Sequence, residues 1–245
     1  MLGNTLVFGG SSGLGAAFSN HLIRQGVKVL SVGRRSPRMK TTLDSCADYR
    51  SIDITDVHNQ DIYKDLLTGF APQHIAFFLR FRGDKLEPGS EPPFPELALS
   101  TVCVKRFLDV FFDYCREAPT YRSLLFCSSP AGLSITSSQD LDYHLAKSAI
   151  DQMVRYYAVK CGGYDVRVNA ISPSYFYKKP HDELPDAIKN KFKKIAKATP
   201  LGYIPDMEEI CQVGEFLLSK KASYLTGQNI YLDGGLGLRL QDDLL

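Results

Sequence analysis

The chain has 245 residues, with 29 basic against 27 acidic side chains and a formal net charge of +2. That length holds one α/β domain or two small ones with a real core, and no run approaches the roughly 20 apolar residues that span a bilayer. So balanced a charge, without a basic arm, finger pattern or repeat, lacks the footprint of a nucleic-acid binder.

The first predicted element is a buried strand ending in Leu6-Val7-Phe8, followed by a turn from Gly9 through Ser11, Ser12, Gly13 and Leu14 to Gly15. A helix continues to about Gln25, with Ala17, Phe18, Leu22 and Ile23 as its apolar face. Strand, glycine turn and helix in that order make an anion site. Glycines admit a diphosphate close to the backbone, and the free N–H groups of the helix N-terminus favour negative charge. A second strand, Val27 to Gly33, runs into Arg34-Arg35. In a dinucleotide fold this strand end reaches the adenosine ribose, where an acid suits the 2′-hydroxyl of NAD and an arginine suits a 2′-phosphate. The Arg-Arg pair therefore favours NADP(H), with NAD(H) as the alternative.

A short strand from Tyr49 to Ile54 carries Asp53 at its end, and a helix is expected from about 57 to 69. His74 to Leu79 reads as a fully buried strand, and the four prolines and two glycines between Gly83 and Pro95 as a loop. A long helix is expected from Glu96 to Glu117, with Val104, Phe107, Leu108, Phe111 and Phe112 at helical intervals. Then come a strand at Ser123–Cys127, a Ser/Thr-rich connector, a helix from Leu141 to Cys161 and a strand at Val166–Ile171. A proline- and lysine-rich excursion spans Pro173 to Pro205. A helix near 206–219 and a last strand, Asn229–Leu232, close the pattern. Strands alternate with helices and no linker divides the chain, which predicts one α/β domain: a doubly wound, Rossmann-type parallel sheet in three layers.

Tyr143 and Lys147 stand at i and i+4, on one helix face. A positive charge beside a phenol favours its phenolate, and such a tyrosine exchanges a proton with a carbonyl or alcohol oxygen as hydride moves at the carbon. Ser129, at a strand's C-terminal end, is placed to hydrogen-bond the same oxygen. The five histidines show no metal spacing, and His144 projects from another face than Tyr143. The six cysteines form no C-x-x-C pair. With an N-terminus that enters a strand directly, they fit a cytoplasmic protein with reduced thiols.

These motifs resemble the short-chain dehydrogenase/reductase family over nearly the whole chain. Gly9-x-x-x-Gly13-x-Gly15 looks like its cofactor loop, and Asp53, with Ile54, like its adenine contact. Ser129-Pro-Ala-Gly132 and Tyr143-x-x-x-Lys147 match its catalytic serine and tyrosine–lysine pair. Val168 to Pro173 and Leu225 to Gly235 resemble its late signatures. The resemblance implies that Tyr143 is the acid/base, that Lys147 supports it and binds the nicotinamide ribose, and that Ser129 orients the substrate carbonyl. Pro173 and Phe176 would face the cofactor, residues 173–205 would form a lid, and the protein would assemble as a homodimer or homotetramer.

The chain departs from the family pattern in four places. The usual Asn-Ala-Gly turn is Leu79-Arg80-Phe81-Arg82-Gly83, and no asparagine occurs between Asn59 and Asn169. The relay asparagine of the long helix is thus replaced by Ser100, Thr101 or Val102. Pro173 is followed by Ser174, and Lys178 stands where a threonine is expected. Arg80 and Arg82 have three equal readings: pairing with Asp84 or Glu87, binding cofactor phosphate, or binding substrate. The expected function is reduction of a ketone to an alcohol, or the reverse. The expected substrate is a small carbonyl or alcohol compound; the lysines between Lys178 and Lys197 read either as attraction for an anionic or carrier-linked one or as a solvated helix face. The alternative is a cofactor-binding regulatory or scaffold subunit of little turnover.

Overall fold

The computed structural model describes residues 2–34, 48–56, 60–81, 94–117, 120–179 and 181–239. Among the described residues, seven strands build one sheet: β1 (Thr5–Phe8), β2 (Val29–Gly33), β3 (Asp48–Ser51), β4 (His74–Phe77), β5 (Arg122–Cys127), β6 (Val166–Pro173) and β7 (Asn229–Leu232). Their order is β3-β2-β1-β4-β5-β6-β7, and every neighbouring pair is parallel. The central strands are buried on both faces and therefore read as apolar runs. The edge strand β3, with sequence DYRS, is largely exposed.

Alternation along the strands feeds two cores. Leu6, Phe8, Ile75, Phe77, Leu124 and Phe126 point toward α2 (Gln60–Phe70), α4 (Val104–Glu117) and α5 (Leu141–Cys161). Val7, Ala76, Phe78 and Leu125 point to the other face, toward α1 (Gly13–Arg24) and α7 (Met207–Leu218). This is the expected three-layer arrangement. The first core is anchored by Phe107, whose ring centroid lies 4.7 Å from that of Phe8 and 5.4 Å from that of Tyr63. The long helix expected from Glu96 is not uniform. A first turn, α3 (Pro95–Leu97), passes through a π-helical segment at Ala98–Cys103 before α4 begins. Such bulges re-aim side chains and often mark functional positions.

Some buried polar groups serve the fold. Arg167, inside β6, donates to the carbonyls of Leu218, Ser219 and Leu225, closing the C-terminal end of α7. His74 is 3% exposed; its Nδ1 lies 2.7 Å from the Ser123 hydroxyl, which itself donates to the Leu218 carbonyl. Burial, reinforced by the Arg167 charge, lowers the His74 pKa from 6.5 to about 4. The unfolded chain thus binds a proton near pH 6.5 that the folded chain refuses until about pH 4. Stability is complete above the unfolded value and falls as pH drops through that window, by about 3 kcal/mol at most. Denaturant titrations at about pH 7 and about pH 4.5 should show this loss in the wild type and a smaller one in His74→Asn.

Candidate active site

The chain order reverses between β1 and β4: β2 and β3 lie on one side, β5 to β7 on the other. In such sheets ligands bind outside the C-terminal strand ends at this switch point. The glycine turn leaves β1 there. Gly9 (φ +77°) donates its N–H to the Val32 carbonyl, and a Cβ on it would overlap the Phe78 carbonyl at the end of β4. A Cβ on Gly15 would in turn overlap the Gly9 carbonyl. Turn and helix start are therefore pressed together with only backbone between them. Ser12 is the extended N-cap of α1, and its side chain makes no capping bond. The N–H groups of Gly13, Leu14 and Gly15 thus open the helix without a side-chain cap. Leu14 and Phe176 both pack against the second core.

At the end of β2, the Tyr49 hydroxyl donates to the Gly33 carbonyl at 2.7 Å and also bonds Ser11, and burial raises its pKa. Tyr49 was not singled out by the sequence, since a lone tyrosine on an edge strand carries no motif. Arg34 is exposed just beyond this strand end, whereas Arg35 lies outside the described residues. The Asp53 carboxylate accepts from the N–H and hydroxyl of Thr55 at 2.9 and 2.7 Å, which fixes its exposed turn beside buried Ile54. Pro173 closes β6.

Asp140 caps α5 by accepting from the Tyr143 N–H. The helix is then tied to the segment after β5 that bears Ser129. His144 Nδ1 meets the Ala131 carbonyl at 2.9 Å, Ser148 donates to the Gly132 carbonyl, and Lys147 Nζ donates to the Cys127 carbonyl at 3.2 Å. His144 is thus a fastening residue, as its helix face predicted. Ser129 Oγ accepts from Ala131 N–H, leaving its hydroxyl proton free to donate. Lys147 is buried, with its ammonium 5.3 Å from the centroid of the Tyr143 ring. Among the described residues the Tyr143 hydroxyl makes no hydrogen bond. One turn further along α5, buried Asp151 accepts from Ser128 at 2.6 Å and Asn229 at 2.8 Å. Burial raises its pKa and these two bonds oppose the rise.

A second cation covers the tyrosine. The Arg80 guanidinium lies 4.1 Å from the Tyr143 ring centroid, donates to Gln139 at 2.8 Å, and approaches Glu96 at 3.8 Å. Arg80 thus pairs with Glu96, a partner outside the three readings. Asp84, Glu87 and Arg82 lie outside the described residues. Glu96 itself is 5% exposed and accepts from the Phe81 N–H at 2.5 Å. Its own backbone N–H, with that of Leu97, donates to the carboxylate of Asp142, the neighbour of Tyr143. Burial raises the Glu96 pKa, opposed by the charge of Lys147, the Phe81 bond and Arg80. Glu96 drew no notice in the sequence because it opened an ordinary amphipathic pattern.

A family model described as Enoyl-(Acyl carrier protein) reductase matches residues 103–237. The chain belongs to the short-chain dehydrogenase/reductase family. It is 26% identical over 246 residues to the short-chain type dehydrogenase/reductase y4vI of Sinorhizobium fredii, covering 94% of this chain but only 42% of that relative. It is 27% identical over 243 residues to the tropinone reductase homolog At5g06060 of Arabidopsis thaliana, covering 94% of this chain and 90% of the relative. Among solved structures, a short chain dehydrogenase from Leptospira borgpetersenii with bound NAD+ superposes with a TM-score of 0.78 at 20% identity, over 96% of this chain and 93% of that one.

In this short-chain dehydrogenase/reductase one departure, at Arg80, lies against Tyr143, whereas Ser174 lines a separate cavity and the Lys178 ammonium lies 5.8 Å from the Phe176 ring centroid. Arg80 and Phe81 occupy the unusual turn after β4, and the π-helical segment carries Ser100, Thr101 and Val102. Ser100 is buried, with an unpartnered hydroxyl; Thr101 donates to the Leu97 carbonyl; Val102 is half-exposed. A cavity of about 660 Å³ opens elsewhere, between β7, α7 and α6 (Asp186–Ala198), lined by Tyr175, Ile195, Leu201, Tyr203, Val213 and Tyr231. None of the predicted catalytic residues lines it. The α6 lysines lie on a helix with no buried residue. No helix among the described residues is long and apolar enough to cross a membrane, and none of their acidic, cysteine and histidine side chains group as a metal site.

Proposed function

We propose that the chain is an NADP(H)-dependent reductase that interconverts a ketone and an alcohol, with Tyr143 as acid/base. The observation that carries this is the joining of Tyr143 and Lys147, on one face of α5, to the Ser129 segment at the C-terminal edge of the sheet that also bears the glycine turn. The residues fit a dinucleotide: the backbone of Gly9 to Gly15 is bare where side chains would collide, and the first turn of α1 carries no side-chain cap. Gly9, Ser11, Ser12, Gly13, Leu14 and Gly15 would hold the diphosphate, Arg34 and Arg35 the 2′-phosphate, and Asp53 and Ile54 the adenine. Pro173 and Phe176 would hold the nicotinamide, and Lys147 its ribose. NADP(H), when bound, supplies or accepts the hydride.

The remaining steps belong to the protein. The free hydroxyl proton of Ser129 fixes the carbonyl oxygen, and Tyr143 gives that oxygen its proton during reduction. The cations of Arg80 and Lys147, on the tyrosine ring, stabilise the phenolate left behind. In oxidation the same phenolate takes the alcohol proton. An anionic or carrier-linked carbonyl substrate is in keeping with Arg80 over the tyrosine and the exposed lysines of α6. A homodimer or homotetramer through the long helices is in keeping with exposed Tyr156 and Val159 on α5.

The test is a titration with NADPH and NADH followed by nicotinamide fluorescence, which the absence of tryptophan favours. NADPH should bind at least about tenfold tighter, and Arg34→Ser should erase most of that margin, as expected for one lost charge-assisted phosphate contact. Equal binding would overturn the NADP(H) assignment, and binding of neither would favour the scaffold reading.

A further inference from the structure

We propose that Glu96 is the proton-exchange residue of this site, passing protons between solvent and the Lys147–Tyr143 pair. The inference rests on Tyr143 being the acid/base. Three observations carry it. Glu96 is 95% removed from solvent, yet its Oε1 has no hydrogen-bond partner, while Oε2 takes the Phe81 N–H and faces Arg80. A buried carboxyl oxygen left unpaired is costly unless it carries a proton or meets water, so Oε1 is the position for an exchangeable proton. Four residues on, Ser100 adds a second buried, unpartnered hydroxyl from the π-helical segment. Both polar atoms are buried without a partner within one stretch of the same helix. Finally, Glu96 is docked to the active-site helix through Asp142, next to Tyr143, and shares Arg80 with the tyrosine ring.

The charged groups facing Glu96 are Lys147 and Arg80, which favour its ionised form, and Asp142, which opposes it; burial outweighs them and holds the carboxyl above its usual range. That places its exchange closer to neutral pH, where an acid/base group works best. In reduction Tyr143 loses its proton to the carbonyl oxygen and regains one from the Lys147 ammonium. The Lys147 amine takes a proton from Glu96 through intervening water, since their contact in this structure is one of charge alone, and the Glu96 carboxylate is reprotonated from solvent. Oxidation runs the same transfers in reverse, so charge and protons balance in both directions. Asp151 is the other buried carboxyl near Lys147, but its Oδ1 is committed to Ser128 and Asn229.

Glu96→Gln separates this role from a structural one, because the amide oxygen still accepts from Phe81. In the NADPH-loaded protein, infrared difference spectra of wild type minus Glu96→Gln should show an un-ionised carboxyl band that titrates above the ordinary carboxylate range. Wild type minus Asp151→Asn should not show that same band. With acetoacetyl-coenzyme A as probe, Glu96→Gln should lower kcat by about ten- to a hundredfold, leave KM within about twofold, and displace the pH profile. The proposal is overturned if the band is absent, or if Glu96→Gln keeps wild-type kcat and pH profile while Tyr143→Phe is inactive. Retained turnover in Tyr143→Phe would instead bring down the acid/base assignment itself.

Discussion

Tyr143→Phe should reduce carbonyl turnover by about a thousandfold, the range set by losing a positioned general acid. NADPH affinity should remain within about threefold of wild type, because among the described residues the phenol oxygen makes no hydrogen bond that holds the site together. The ring is what the surrounding structure grips. Arg80 sits on one face at 4.1 Å and Lys147 lies 5.3 Å from its centroid, and both contacts survive in phenylalanine, though weakened. Thermal stability should therefore change little. Steady-state kinetics and a fluorescence titration on one preparation check both halves. Turnover within tenfold of wild type would move the acid/base elsewhere, and an equal loss of cofactor binding would make the tyrosine a binding residue.

The fold was legible because the central strands are buried on both faces and so are apolar without interruption. Leu6-Val7-Phe8 and Ile75-Ala76-Phe77-Phe78 announce themselves as core. The glycine turn and the i, i+4 pair of Tyr143 and Lys147 were legible for a related reason: local backbone demands and helix geometry are written in adjacent residues. Of the departures from the family pattern, the run Leu79–Gly83 contains the paired Arg80, and Ser100–Val102 lie in the π-helical segment. What replaced the missing groups was not legible. Arg80 pairs with Glu96 and Gln139, and Glu96 with Phe81 and Asp142, across three separate stretches of chain. No periodicity records such contacts. The π-helical segment escaped because its one extra residue hardly alters an apolar pattern, while it changes which side chains turn inward. His74 and Arg167 were read as members of apolar strands; their hydrogen bonds to Ser123 and to the end of α7 exist only in the assembled sheet.

Gly9→Ala should destabilise the protein by about 3 to 5 kcal/mol, combining a left-handed backbone that alanine resists with overpacking against fixed atoms. The backbone cost comes from φ +77°, and the overlap is with the Phe78 carbonyl, part of a chain that cannot swing away as a side chain could. Phe78 N–H is bonded to the Phe8 carbonyl, so displacing one strand end displaces the other. Relief can come only by lifting the turn, which also moves Gly15 from beneath Gly9 and tilts the first turn of α1 away from the phosphate position. Stability and cofactor binding should therefore fall together, with NADPH affinity lower by at least about tenfold. Gly69→Ala is the control. That glycine lies in α2 with nothing near its missing Cβ, so alanine should stabilise by about 0.5 to 1 kcal/mol and leave NADPH binding alone. Opposite signs for the two substitutions, read by denaturant unfolding, would show that Gly9 is required by close approach to β4. Similar small effects would mean that the turn yields, and that the first strand and the cofactor loop are less tightly coupled than their geometry implies.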